Sequence, residues 1–287
     1  MNNYMMKYNK HTLVVGSARS GTSWLSENMA KVFRYRMLFE PEHTEQTRNG
    51  HLVADQLITN ANHQEYKQGL KYLEQVFKNR VDSDWIAQNS NRTYKRHLWP
   101  FIPKHFIIKL VRGNLLAPFI SQNFEIPVVH VVRHPLEVIK SQQRVRFPWL
   151  YDLSYFLKQE ELIDIIYNKY DINIKDFIHK SKVEILALRW CIENVVVLED
   201  LKAGESNQYH LVKHEALRND VEVYKTLCQT LGIEVLGHID NEYKKPSTKA
   251  HPKSSVRGGT ELDNLSEVEL ENIKVVLDQF NQSLYSL

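Results

Sequence analysis

Short runs of consecutive apolar residues alternate along the chain with stretches whose apolar positions recur at helical spacing. Thr12-Leu13-Val14-Val15 closes on Gly16, and a glycine-bounded run of this kind predicts a buried strand of a parallel sheet. Beyond a tight loop, Trp24, Leu25, Met29 and Val32 fall at i, i+1, i+5 and i+8, one broad face of a helix. Phe106-Ile107-Ile108, leading into Lys109-Leu110-Val111-Arg112, predicts a second strand, and the run from Val128 to Val132 a third. Pro135 then sits in the first turn of a helix, where its missing N–H costs nothing. Ile185, Leu188, Ile192 and Val195 keep helical spacing; His210-Leu211-Val212 predicts a fourth strand, and Tyr224, Leu227 and Leu231 stripe the helix after it. Ser266, with Glu269 three residues on, is a capping-box signature for a last helix over 266–284.

Two stretches interrupt this alternation. Residues 45–103 are polar, aromatic and poor in glycine, with Tyr66, Leu70, Leu73 and Phe77 at helical intervals; residues 144–182 are rich in Tyr, Phe and Ile. Both predict helical insertions, and no internal repeat or low-complexity tract accompanies them. Strands alternating with helices predict an α/β fold of three layers, α/β/α, around a central parallel sheet.

Composition adds limits. The 287 residues carry 37 Lys plus Arg against 34 Asp plus Glu, a net charge of +3, with 43% hydrophobic and 25% charged residues. Those fractions exclude disordered, collagen-like and coiled-coil classes. A chain of this length fits one α/β domain over residues 1–287, the two insertions included. Cys191 and Cys228 stand apart, so there is no CxxC metal site; two reduced thiols in a cytoplasmic protein are expected. No window approaches the roughly 18 apolar residues of a membrane span. Residues 1–10 lack the apolar stretch of a signal peptide, so independent export is not expected. A charge surplus this thin makes no case for a nucleic-acid partner.

The chemistry concentrates after the first strand. Gly16-Ser17-Ala18-Arg19-Ser20-Gly21-Thr22-Ser23 matches the phosphate-binding pattern G-x-x-x-x-G-K-[ST] at both glycines and at Ser23, but Thr22 replaces the lysine. Glycines let the chain turn so that successive N–H groups point at one spot, and the helix behind adds a positive dipole. Arg19 supplies charge from inside the loop, and its planar fork suits a tetrahedral oxyanion. A kinase or GTPase keeps an acidic residue on a neighbouring strand end to hold Mg²⁺. Here those ends carry Lys109, Arg112 and Arg133, and strand ends in open α/β sheets face the ligand crevice. A site gathering Arg19, Lys109 and Arg133 would neutralise its anion with side chains and no metal. His130 and His134 straddle a strand end and do not read as a metal pair. Trp85, Trp99 and Trp149 read as packing for a helical cap, or as one face for a sugar ring; Trp24 and Trp190 read as core.

Arg19-Ser20-Gly21-Thr22-Ser23-Trp24-Leu25 resembles the 5′-phosphosulfate loop of sulfotransferases that use 3′-phosphoadenosine 5′-phosphosulfate (PAPS), with arginine for the usual lysine, as in many carbohydrate members. Val132-Arg133-His134-Pro135, with Ser141 eight residues after the arginine, is similar to that family's 3′-phosphate site. Leu38-Phe39-Glu40-Pro41 resembles the Glu-Pro segment of carbohydrate-type members, where a glutamate can act as base; Lys109 stands where a strand-end lysine is common. Val212-Lys213-His214-Glu215-Ala216-Leu217 is similar to a late strand of the family, and Arg257-Gly258 resembles the loop that closes over the 3′-phosphate. Small-molecule sulfotransferases place a catalytic histidine two residues after the strand lysine; that position here is Val111.

The resemblance implies a P-loop-like fold, PAPS as co-substrate, adenosine 3′,5′-bisphosphate as product, and metal-independent in-line sulfuryl transfer to a hydroxyl. Its implied catalytic residues are Arg19, Lys109 and Glu40, with Glu42 and then His43 as the next candidates for the base. Its implied nucleotide-binding residues are Ser17, Arg19, Ser20, Gly21, Thr22, Ser23, Trp24, Arg133, Ser141, Arg257 and Gly258. A carbohydrate or polysaccharide hydroxyl is the favoured acceptor. A nucleotide or sugar kinase with a degenerate loop, and a non-catalytic nucleotide-binding protein, are the two alternatives.

Overall fold

In the computed structural model, residues 11–81, 83–88, 105–201, 207–248 and 265–286 are described. In chain order these form β1 (His11–Val15), α1 (Thr22–Ala30), β2 (Tyr35–Phe39), α2 (Lys67–Phe77), α3 (Asp84–Ala87), β3 (His105–Leu110), α4 (Ala117–Phe124), β4 (Val128–Val132) and α5 (Pro135–Val145). There follow α6 (Glu160–Tyr170), α7 (Lys182–Cys191), β5 (Tyr209–Lys213), α8 (His214–Asn219), α9 (Val221–Thr230), α10 (Ile239–Tyr243) and α11 (Glu267–Gln279).

The five strands form one parallel sheet in the order β2-β3-β1-β4-β5. Alternate residues of each strand serve opposite faces, so the sheet separates two apolar layers. Leu13, Val15, Leu38, Ile108, Leu110, Val128 and Val132 belong to one core, with side chains from α2, α4, α5, α6, α7 and α11. Val14, Met37, Phe39, Ile107, Val129 and Val131 belong to the other, with α1, α9 and α10. Burial on both faces explains why the strands read as continuous apolar runs rather than as alternating ones.

Sequence patterning anticipated β1, β3, β4 and β5, the proline at the start of α5 and the Ser266–Glu269 capping box, which is present. It missed β2. Arg36 breaks the apolar run there, yet it is buried and donates from Nη1 to Asn79 Oδ1 at 2.7 Å. The described part of 45–103 contains a 3₁₀ turn, Gly50–Leu52, besides α2 and α3. The start of 144–182 belongs to α5, followed by 3₁₀ turns on either side of α6. The last helix ends at Gln279, short of the expected 284. No described helix is long and apolar enough to cross a membrane. Cys191 and Cys228 are both buried free thiols.

Topology positions the site. The chain runs from β1 to β2 and β3 on one side, then crosses back beyond β1 to β4. Parallel α/β sheets hold ligands outside the strand ends where the order reverses in this way. The loop after β1 lies at that point.

Candidate functional site

Register partners set the site's frame. Val15 at the end of β1 pairs with Leu110, Phe39 at the end of β2 pairs with Lys109, and Val132 at the end of β4 pairs with Lys213. The residues just beyond these strands therefore face one crevice from adjacent strand ends.

The loop from Gly16 to Gly21 opens α1. Gly21 caps the helix at φ +100°, and among the described residues no side chain caps its first amides. Those orphan N–H groups and the helix dipole can serve an anion. Space requires Gly16, where a Cβ would run into Val131 O, whereas Gly21 is required by its φ of +100°, with the His214 imidazole lying where a Cβ would go. Gln142 Nε2 donates to Ala18 O at 3.0 Å, and Asn194 Nδ2 donates to Ser17 Oγ at 2.9 Å, so two helices hold the loop. Asn194 is itself oriented by His130, whose Nε2 lies 3.1 Å from Asn194 Oδ1. Ser20 Oγ is buried and has no hydrogen-bond partner among the described residues. Thr22 is buried and Ser23 half-buried at the start of α1, while the Trp24 ring lies in the core against Tyr243, 4.7 Å between ring centres.

Cations converge on the same loop. Arg19 donates from Nε to Ser141 Oγ at 3.0 Å, and Arg133 donates from Nη1 to Arg19 O at 3.1 Å. Ser141 lies on α5, so the loop and the residues spaced eight apart after β4 meet. Arg144, one turn beyond Ser141, joins them: its Nη2 is buried without a partner among the described residues. Burial first, then the like charges of Arg133 and Arg144, pushes the Arg19 guanidinium below its usual range. Burial also lowers Arg133, against the opposing pull of Glu137, whose Oε2 lies 3.3 Å from Nη2. Three crowded guanidinium groups beside unpaired donors favour a polyanionic ligand. Sequence reading missed Arg144; its position three residues after Ser141, on one helix face, was the available signal.

On the other side of β1, the Glu40–Pro41–Glu42 turn lies on the end of β3. Glu40 N donates to Lys109 O at 3.0 Å, and Lys109 Nζ is ion-paired with Glu40 Oε1 while standing 4.4 Å from the centre of the Phe39 ring. Glu42 is buried; its Oε1 accepts the N–H groups of Val111 and Arg112 at 2.7 and 3.2 Å. Burial, and secondarily the charge of Glu40, pushes the Glu42 carboxyl up to about 7. His43 receives the amides of Glu45 and Gln46 on Nδ1, each at 3.3 Å. That assignment places the proton of the neutral ring on Nε2 and leaves it a donor. The His43 ring lies edge-on to Trp85 at 4.6 Å.

The strand-end cations are thus less uniform than the sequence suggests. Arg112 does not face the crevice as a free charge: its Nη2 lies 2.7 Å from Asp55 Oδ2, and the pair is buried. Arg189 shares that carboxylate at 3.3 Å and reaches Glu193 at 3.2 Å. Both guanidinium groups also lie over the Trp149 ring, at 5.1 and 5.3 Å, which accounts for that indole within the protein's own packing. Asp55 and Arg112 are far apart in sequence, so nothing local announces their pairing. Lys109 is likewise already partnered, by Glu40. Arg257, Gly258 and Trp99 lie outside the described residues. Among the described residues, no group of three or more His, Cys, Asp or Glu side chains could hold a metal ion.

No family model matches the chain, and no curated protein matches it either. Among solved structures it is similar to a sulfotransferase domain from the curacin biosynthetic pathway, at 15% identity over 96% of this chain and 98% of that one, with a TM-score of 0.46. A mouse sulfotransferase complexed with PAP is similar at 12% identity over 98% and 88% of the two chains, TM-score 0.47. Retinol dehydratase in complex with androsterone and the inactive cofactor PAP is similar at 12% identity over 100% and 84%, TM-score 0.41.

Proposed function

We propose that this chain transfers a sulfuryl group from PAPS to an acceptor hydroxyl, with a carbohydrate or polysaccharide as the acceptor class. One observation carries the reading. The loop bearing Arg19 meets Arg133 and Ser141 at hydrogen-bond distance, so two motifs more than a hundred residues apart form one cationic cradle. Its features fit a nucleotide with two separated phosphate groups: uncapped α1 amides and the unpartnered Ser20 Oγ in the loop, and three guanidinium groups beside them.

When bound, PAPS supplies the sulfuryl group on a phosphate leaving group. Arg19, the loop amides and Ser20 hold the 5′-phosphate and stabilise charge that builds there. Arg133, Ser141 and Arg144 grip the 3′-phosphate, with Arg257 and Gly258 as further candidates. Glu40 accepts the proton of the attacking hydroxyl, and Lys109 orients it through their ion pair. Glu42 serves as an anchor, since its Oε1 is committed to two backbone amides and its Oε2 is buried. The Glu-Pro segment and the arginine in the loop favour a saccharide over a small phenol.

A transfer screen with radiolabelled PAPS over sugars, polysaccharides, lipids and phenols tests the reading. Label should pass to a saccharide in the presence of a chelator. Phosphoryl transfer from ATP with Mg²⁺, and no sulfuryl transfer to any acceptor, would replace the reading with a kinase.

A further inference from the structure

Residues 284–286, which no sequence motif marks, lie across the ends of β4 and β5. Arg133 and His214 are the first residues beyond the paired positions Val132 and Lys213. The Tyr285 hydroxyl lies 2.7 Å from Glu215 Oε2 and 3.2 Å from Val132 O. It carries one proton, and the carboxylate is the stronger acceptor. The other oxygen of Glu215 accepts the His134 N–H at 3.0 Å. Lys213 Nζ donates to Leu284 O at 2.7 Å and stands 4.5 Å from the centre of the Tyr285 ring. The His134 ring meets that of Tyr285 edge-on at 5.1 Å. Trp190, whose ring stands edge-on to that of Tyr285 at 6.5 Å, donates from Nε1 to Arg133 O at 3.1 Å.

The peptide joining Arg133 to His134 is therefore gripped at both ends. Trp190 holds its carbonyl, Glu215 holds its N–H, and Tyr285 orients Glu215. Burial acts to raise the Glu215 carboxyl, but the His134 amide and the Tyr285 hydroxyl together hold it below the usual range, so the link is charged at neutral pH. A guanidinium on a long flexible stem gains affinity when its backbone is fixed before the ligand arrives.

The geometry points to Tyr285 as a positioning residue for the nucleotide site: through Glu215 and the His134 amide it fixes the backbone that carries Arg133, and so sets the grip on a 3′-phosphate. This inference rests on the functional reading above, which assigns that phosphate to Arg133.

Tyr285→Phe keeps the ring contacts and removes only the hydroxyl. Calorimetric titrations of the full chain with adenosine 3′,5′-bisphosphate and, separately, adenosine 5′-monophosphate report on the two phosphate sites apart. Bisphosphate affinity should fall by about tenfold, the scale of one charge-assisted hydrogen bond, with monophosphate affinity within about twofold of wild type. Lys213→Met, which loosens the same strap from the other strand, should move the same ratio in the same direction. In an Arg133→Ala background, Tyr285→Phe should cost nothing more. Equal loss for both ligands, an unchanged bisphosphate affinity, or full additivity with Arg133→Ala overturns the role of Tyr285. A wild-type chain that binds no bisphosphate overturns the functional reading itself, a separate and recognisable result.

Discussion

Arg19 and Glu40 both hold positive φ angles, 76° and 43°. Side chains with a Cβ adopt that region at a cost. Glu125, Arg146 and Asp171 do so too, but each ends a helix, where a left-handed residue is routine. Arg19 and Glu40 instead lie in the crevice loops beyond β1 and β2, where the fold holds them at the site proposed for chemistry. If Arg19 steadies charge developing on a leaving phosphate, Arg19→Ala should lower turnover by about 10²–10³-fold with an unchanged circular dichroism spectrum. Glu40→Gln should lower kcat far more than it raises KM, because a base acts in the transition state. Wild-type turnover in Glu40→Gln would remove that residue from the role. Glu42 makes a different kind of prediction. Its folded-state value near 7 is raised from 4.5, so the folded chain holds the proton more tightly than the unfolded one. The stability this contributes is complete below about pH 4.5 and lost as pH rises through about 7. Melting temperature should therefore fall between about pH 5 and 8, and less steeply in Glu42→Gln, whose amide oxygen can still accept from Val111 and Arg112. Identical slopes for the two proteins would contradict the assignment.

Helices behind the loop act as units, and one of them departs from the regular form. After α7 the chain widens into a π-helical stretch, Ile192–Asp200, and Asn194 lies in its first turn. Asn194 Nδ2 reaches Ser17 Oγ, and its Oδ1 faces His130, which burial pushes down to about 4 and so keeps neutral. A single amide thus links helix, loop and sheet. Removing it leaves two buried polar groups short of a partner, at about 1–3 kcal/mol each. Asn194→Ala should therefore lower unfolding free energy by about 2–6 kcal/mol in urea titrations, and should weaken nucleotide binding because the loop loses an anchor. Loss of stability with nucleotide affinity intact would show that the loop is held by Gln142 and α1 alone. Sequence periodicity announced a helix through 185–195 but not the change in pitch, since apolar spacing alone does not report a wider turn.

At the scale of the molecule, what the sequence disclosed is what local spacing encodes. Apolar runs disclosed four strands, the glycine pattern marked the turn that opens α1, and an arginine and serine eight apart marked two side chains that meet that turn. The hidden part depends on partners distant in sequence. Arg36 conceals β2 because its buried partner is Asn79; Arg112 looks like a crevice cation until Asp55 takes it; Lys109 is spoken for by Glu40. Tyr285 lies 152 residues from Arg133 in the chain and carries no motif of its own. Each case is a charge or hydroxyl whose role is set by a group that only the fold brings near. On the proposed function, backbone amides and guanidinium groups, without a divalent ion, form a site for a doubly phosphorylated adenosine. Titration calorimetry in the presence of a chelator measures it most directly. A saturable, one-site signal for adenosine 3′,5′-bisphosphate, reduced by Arg19→Ala and by Arg133→Ala, is the predicted result; no signal with that ligand, and a clear one with ATP and Mg²⁺, would contradict it.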